Sequence, residues 1–257
     1  MKHLYAFVVL LVFLVVSAPA RAIETPISVS VLSNDGKFIG SSLGGMHITI
    51  HEIASGQLLA SGKTTGSTGD TARLMTHPHE RDFVLRTEGS SRFDAVLELD
   101  RPTSVRITAF GPLAQRQAAS TVSETWTLIP GKDYADGNGI LLTLHGMVVD
   151  VLDPPAHLKT GAVDMLRVEA NVMKMCGCPV GESTPWPVER YRVEARLYEA
   201  TGELLEVVTL RYTGEHSQFA GDVPMPGVGA YEIIVTAFDP ATKDSGADTT
   251  TVILAEE

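Results

Sequence analysis

Beyond about residue 22, apolar and polar residues alternate in short runs separated by Gly, Pro, Asp and Asn. That period-two pattern is the mark of half-buried β-strands. Arg192-Val193-Glu194-Ala195-Arg196-Leu197 and Ala95-Val96-Leu97-Glu98-Leu99 alternate cleanly. Tyr231-Glu232-Ile233-Ile234-Val235-Thr236-Ala237-Phe238 is apolar on both faces, which suits a central strand. Almost nothing carries a helical period, so the pattern predicts an all-β chain.

The pattern also repeats. Ile50-His51-Glu52-Ile53-Ala54-Ser55-Gly56-Gln57-Leu58-Leu59 matches Leu197-Tyr198-Glu199-Ala200-Thr201-Gly202-Glu203-Leu204-Leu205 with one residue removed. Thr65-Gly66 answers Thr213-Gly214, and Ser91-Arg92-Phe93 answers Ser217-Gln218-Phe219. Thr108-Ala109-Phe110-Gly111-Pro112 answers Thr236-Ala237-Phe238-Asp239-Pro240. Four matches in one order predict two copies of one unit. Each copy has room for about seven strands with turns between them, which suits a β-sandwich. Ser55-Gly56 and Thr201-Gly202 mark hairpin turns, where glycine takes positive φ without a Cβ clash. The expected division is 23–153 for the first antiparallel sandwich and 160–257 for the second. Asp153-Pro154-Pro155-Ala156-His157 lies between them, its prolines ending a strand. Thr121 to Leu144 in copy one has no evident counterpart.

Gly229-Ala230-Tyr231-Glu232-Ile233-Ile234-Val235-Thr236-Ala237, with the Asp/Gly-rich turn and Thr/Val strand that follow, resembles bacterial immunoglobulin-like and fibronectin type III-like modules. The resemblance covers about a third of the second copy, and the hallmark inter-sheet cysteine pair is missing. It implies two tandem Ig-like sandwiches, with Tyr231 packed at a sandwich corner. It implies a habit of binding and no particular reaction.

The first residues change the picture of where the chain works. Met1-Lys2-His3 is followed by an apolar run from Leu4 to Val16, a break at Ser17-Ala18-Pro19, and Ala20-Arg21-Ala22. A basic start, a short apolar run and a small-x-small ending read as a signal peptide over residues 1–22. Thirteen helical residues rise only about 20 Å, short of a ~30 Å hydrocarbon core. The mature chain is therefore expected to be periplasmic or secreted in a bacterial envelope, with no membrane span. The whole chain carries 20 basic and 31 acidic residues, and loss of Lys2 and Arg21 leaves 18 against 31, a net −13. Such a surface argues against nucleic acid, whose phosphates require basic contacts. A protein partner in the envelope is expected instead.

Candidate chemistry concentrates in Met173-Lys174-Met175-Cys176-Gly177-Cys178-Pro179, which holds both cysteines of the 257 residues. Where copy one has a plain link, Ser33-Asn34-Asp35-Gly36-Lys37-Phe38-Ile39-Gly40, copy two has Met173 through Val188. Loops on a repeated scaffold are where function is placed. Three readings of the pair stay open. Met173, Met175, Cys176 and Cys178, completed by His216 or Met225, form a soft donor set of the kind that selects copper as Cu(I). A Cys176–Cys178 disulfide exchanging with other thiols is the second, although C-x-C is not the usual C-x-x-C. A structural clip is the third, in a subunit of an envelope complex.

Other candidates are weaker. His47 and His51 share a strand face, but four strand residues separate them by about 13 Å. His77-Pro78-His79 is a possible Cu(II) or Zn²⁺ loop that reads more simply as an exposed turn. His145 and His157 read as surface residues. Asp133, Asp136 and Asn138 miss the EF-hand spacing, and Asp239, Asp244 and Asp248 suit a turn without calcium. No G-x-S-x-G, H-E-x-x-H, P-loop or dinucleotide fingerprint occurs. Aromatic residues make up 6% of the chain, few for a sugar-stacking platform, although Trp126 or Trp186 could each serve one. The expectation is a non-catalytic binding protein.

Overall fold

The computed structural model describes residues 21–76 and 78–256. Apart from Arg21 and Ala22, the expected signal peptide lies outside the described residues, and so does His77. Seven strands come first: β1 (Ile23–Ser33), β2 (His47–Glu52), β3 (Leu58–Lys63), β4 (Phe93–Leu99), β5 (Thr103–Gly111), β6 (Ser120–Leu128) and β7 (Ile140–Leu144). Nine follow: β8 (Met147–Asp153), β9 (Leu158–Gly161), β10 (Met165–Lys174), β11 (Arg192–Glu199), β12 (Leu204–Thr209), β13 (Arg211–Tyr212), β14 (Gln218–Pro224), β15 (Gly229–Phe238) and β16 (Ser245–Ala255). Among the described residues a single α-helix of five residues, α1 (Thr71–Met75), is capped by the Asp70 side chain, which accepts from the Arg73 amide.

The strands form four sheets. β4-β1-β7 faces β3-β2-β5-β6 across a core built from Ile27, Val29, Ile48, Ile50, Ile107 and Leu142. β13-β14-β10-β8 faces β12-β11-β15-β16-β9 across a core of Val168, Val172, Leu197, Ile233 and Val235. Each such fully buried aliphatic side chain stabilises the fold by about 1.5–3 kcal/mol relative to exposure. The chain is thus all-β, two antiparallel sandwiches with immunoglobulin-like strand order. In the second, β9 runs parallel to β16 while the remaining neighbours are antiparallel.

The repeated sequence sits on repeated structure. The hairpins β2–β3 and β11–β12 carry the same register shift, between Ile50 and His51 and between Leu197 and Tyr198. Gly56 and Gly202 turn them at φ 73° and 89°. Phe93 is the first residue of β4 and Phe219 the second of the matched β14, while Phe110 is the last but one of β5 and Phe238 the last of β15. Tyr231 is buried and its hydroxyl donates to the Gly227 carbonyl at 3.0 Å, a tyrosine-corner arrangement.

Two details differ from the sequence reading. Of the segment Thr121–Leu144, most of β6 is the counterpart of β16, pairing with β5 as β16 pairs with β15; only β7 is additional, lying parallel to β1. β8 hydrogen-bonds to β10, so Asp153-Pro154-Pro155 stands between two strands of the second group. The alternation of β8 explains why its membership was not legible: Met147 and Val149 enter the second core, while Val148 between them enters the first.

Candidate functional site

β10 ends in the segment that holds both cysteines. Its inward positions, Val168, Ala170, Val172 and Lys174, are all buried, so strand alternation carries a lysine into the core phase. A short turn follows, in which the Lys174 amide donates to the Cys178 carbonyl at 3.1 Å and the Gly177 amide to the Lys174 carbonyl at 2.8 Å. Gly177, at φ 74°, lets the chain reverse over this span. Cys176 and Cys178 are joined, with S–S 2.13 Å and Cα–Cα 5.3 Å.

The proposed metal donors are not gathered at one point. Met175 is 1% exposed and packs, with half-buried Met173, into the core of the first sandwich. Cys176 and Cys178 are buried in the core of the second, beside Val180 and Trp186. His216 is exposed and its ring lies over Gly181, where a Cβ would come within 2.5 Å of it. Met225 is buried in the second core. Among the described residues no three His, Cys, Asp or Glu side chains are grouped to hold a metal ion. An open cleft of about 390 Å³ borders the disulfide, lined also by Lys37, Thr71, Ser183 and Trp186; neither methionine nor His216 reaches it.

What the segment touches is the equivalent link of copy one. The Trp186 indole N–H donates to the Asp35 carbonyl at 2.7 Å. Leu43 packs on Gly177, where a Cβ would meet its side chain at 3.1 Å, and a Cβ on Gly36 would come 3.2 Å from the Cys176 sulfur. The corresponding loops of the two repeats therefore pack against each other.

Two ionic clusters flank this contact. Lys174 Nζ and Asp244 Oδ2 lie 3.0 Å apart, both side chains wholly buried. Asp244 also accepts from the Asn34 amide group at 3.1 and 3.2 Å and from the Gly146 backbone at 3.1 Å, and the His145 ring stands 3.2 Å away. Burial pushes the Asp244 carboxyl up, but the Lys174 hydrogen bond and charge, with Asn34 and Gly146, outweigh it and hold the group below the usual carboxylate range. In the second cluster Arg190 Nη2 lies 2.7 Å from both Asp35 and Asp239. Burial again raises Asp239, and the Arg190, Ala241 and Thr242 hydrogen bonds with the Arg190 charge bring it down to about 2. Beside them the Tyr191 hydroxyl is buried without a hydrogen-bond partner among the described residues, and burial raises its pKa.

The remaining candidates have structural partners. Asp239 and Asp244, which the sequence placed in a turn, pair with Arg190 and Lys174. Asp248 accepts from the Val151 amide at 2.8 Å, and Asp133 caps its own turn through the Ala135 and Asp136 amides. Asn138 accepts from the Leu85 amide at 2.6 Å. His47 lies against Ser61 at 3.1 Å, and His79 stacks on Phe83 with centroids 4.8 Å apart. The sequence reading missed Asn34, Asp35, Lys174 and Arg190. Of these only Lys174 announced itself, as a cation at an inward position of an alternating strand.

No protein-family model matches the chain, and no curated protein matches it. Among solved structures it resembles an engineered protein at 16% identity and TM-score 0.32, over 50% of this chain and 24% of that one. The match thus spans about a quarter of the engineered protein's length. Fibronectin(III)-like modules of Clostridium thermocellum CbhA are similar at 10% identity and TM-score 0.31, over 82% and 78%. A chimeric titin Z1Z2 tandem is similar at 9% identity and TM-score 0.24, over 92% of each chain. The immunoglobulin-like assignment rests on strand pairing and the Tyr231 corner, and not on these overlays.

Proposed function

We propose that the chain is an exported, non-catalytic interaction protein in which two Ig-like sandwiches act as one stiff body. The observation that carries this reading is the use of the Met173–Arg190 segment as an inter-sandwich brace. Met175 fills the first core, the Cys176–Cys178 disulfide clips the turn into the second, and Trp186 and Arg190 bind Asp35. A partner in the bacterial envelope would then meet two sandwiches held at a fixed spacing. The leader over residues 1–22 supports export, and N-terminal sequencing of protein recovered outside the cytoplasm is expected to begin at Ile23.

The brace and the copper reading make opposite demands on the same side chains. Cu(I) capture needs two free thiolates and methionines turned out of the core. Solution scattering together with Cu(I) titration separates them. The stiff-body reading expects one narrow distribution of inter-sandwich distances, and no stoichiometric Cu(I) uptake by the disulfide form. A broad distribution, or uptake abolished by Cys176→Ser with Cys178→Ser, would sink it. Thiol titration with and without a dithiol reductant tests exchange chemistry in the same samples.

A further inference from the structure

The outward faces of the two matched sheets, β3-β2-β5-β6 and β12-β11-β15-β16-β9, differ in charge. In the first, Ile48, Ile50, Val105 and Ile107 are buried, so strand alternation turns the residues between them to solvent. The register sets these outward residues in rows across the strands. Lys63, His47, Phe110 and Thr121 form one row, and Ser61, Thr49, Thr108 and Ser123 the next. Leu58, His51, Arg106 and Thr125 form a third, and Ser104 with Thr127 a fourth. All are exposed or half-exposed, eight of the fourteen are Ser or Thr, and none is Asp or Glu. That is a marked bias in a chain with 31 acidic residues and a net charge of −11.

The matched face of copy two lacks this bias. There Glu194 and Glu232 stand in the outward phase of β11 and β15, and Glu194 holds Arg196 at 2.6 Å. On copy one's face, Lys63 and Arg106 form no ion pair among the described residues. Two acids border the grid. Glu52 ends β2 in the inward phase and accepts from the Ser55 hydroxyl; Glu124 lies in the inward phase of β6 and accepts from the Trp126 indole at 3.1 Å. An open hollow of about 410 Å³ is bordered by Thr49, His51, Glu52, Ile53, Arg106 and Thr108. The Thr108 and Ser123 hydroxyls lie 2.8 Å apart, and the His47 ring meets the Ser61 hydroxyl at 3.1 Å.

We infer that this face binds a polysaccharide that bears carboxylates, a polyuronate, laid across the strands. Rows of hydroxyls about 4.8 Å apart from strand to strand offer both donors and acceptors to sugar hydroxyls. Lys63 and Arg106 supply free cations for the carboxylates. A sheet face is ordered before the ligand arrives, so little is lost in fixing it. A protein partner would need buried aromatic or aliphatic anchors, and the grid's two large apolar residues, Leu58 and Phe110, stand in different rows. Nucleic acid, with its unbroken run of phosphates, would call for more than two cations. Ring stacking is not required, which agrees with the low aromatic content. The net negative charge opposes long-range approach, so binding is weak and falls with salt. This inference goes beyond the stiff-body reading, and neither depends on the other.

Fluorescence anisotropy of labelled oligogalacturonate and oligoalginate, titrated with the exported chain at about 20 mM salt, tests it. Binding is expected, and it should weaken at about 200 mM salt. Methyl-esterified oligogalacturonate, which keeps its remaining hydroxyls and loses its charge, should bind more weakly. Lys63→Glu with Arg106→Glu should raise Kd by roughly tenfold or more, with the urea midpoint unchanged. Arg192→Glu with Arg211→Glu alters net charge equally and should leave Kd near the parent's. Thr49→Val with Thr108→Val suits an exposed strand and should raise Kd about threefold by removing hydroxyls alone. Failure of both uronates to bind at about 1 mM protein overturns the proposal. So does equal binding of labelled polyaspartate or duplex DNA, or an equal loss in the two charge-reversal variants. Affinity indifferent to the Thr→Val pair would also overturn it, because charge alone would then be recognised.

Discussion

Removing the Lys174 ammonium tests whether the buried ionic cluster holds the loop contact together. In Lys174→Met the side-chain volume is nearly conserved, while Asp244 keeps its charge in a site with no solvent access. Breaking a buried pair by deleting one partner costs about 3–5 kcal/mol. Asn34 and the Gly146 amide still donate to Asp244, which places the expected loss near the lower end, about 3 kcal/mol. With a urea m-value of about 2–3 kcal/mol/M, the midpoint should fall by roughly 1–1.5 M, followed by tryptophan fluorescence. The pH dependence has a definite sign. The folded Asp244 pKa lies below its unfolded value, so its stabilisation is present above about pH 4 and is lost as pH falls through the folded pKa. Lys174→Met removes the cation chiefly responsible, and the acid limb of its stability curve should be shallower than the parent's. Asp244→Asn in the same background should cost less than it does alone, because the two positions interact directly. A Lys174→Met midpoint within about 0.3 M of the parent would refute the reasoning.

Three further outcomes follow from the same geometry. Cys176→Ser with Cys178→Ser opens a loop closed over three residues, a loss of about 1.6 kcal/mol from chain entropy, measurable as a urea midpoint shift. A double variant as stable as the parent would show that the clip contributes nothing. Tyr191→Phe removes a buried hydroxyl that has no partner among the described residues and should leave stability unchanged or raise it by up to about 1 kcal/mol; a clear loss would mean the hydroxyl is bound after all. Asp239 is held down at about 2, so the stability it contributes is complete above about pH 4 and disappears toward pH 2; Asp239→Asn should flatten that interval in an acid unfolding series, and an unchanged acid limb would count against the Arg190 pairing.

The strands were readable because one face of each is dry. β4 and β11 show the alternation plainly, and the hairpin glycines stand where positive φ is needed. The repeat was readable for the same reason, since both copies bury the same positions of the same strands. β8 was misplaced because Val148 and its neighbours satisfy two cores at once, a condition that alternation alone cannot assign to either. The ionic clusters were less legible still. Asn34 meets Asp244 across 210 residues of sequence and Trp186 meets Asp35 across 151, and no local spacing rule reports a contact of that kind. Asp239 and Asp244 looked like turn or calcium residues because a carboxylate in a turn is the same letter whatever cation it binds.

The composition of the Met/Cys segment makes better sense as packing than as ligation. The longer segment of copy two packs into both cores where the plain link of copy one meets it. Met175, unbranched and adaptable, enters the neighbouring core. Gly177 clears room for Leu43, and Gly36 on the other side clears room for the Cys176 sulfur. The disulfide closes the turn, and Trp186 carries both a large apolar surface and one N–H placed on Asp35. On the stiff-body reading, soft donors at close spacing follow from what fills irregular gaps well. Met175 and the joined cysteines enter different cores, as a segment that braces two sandwiches requires.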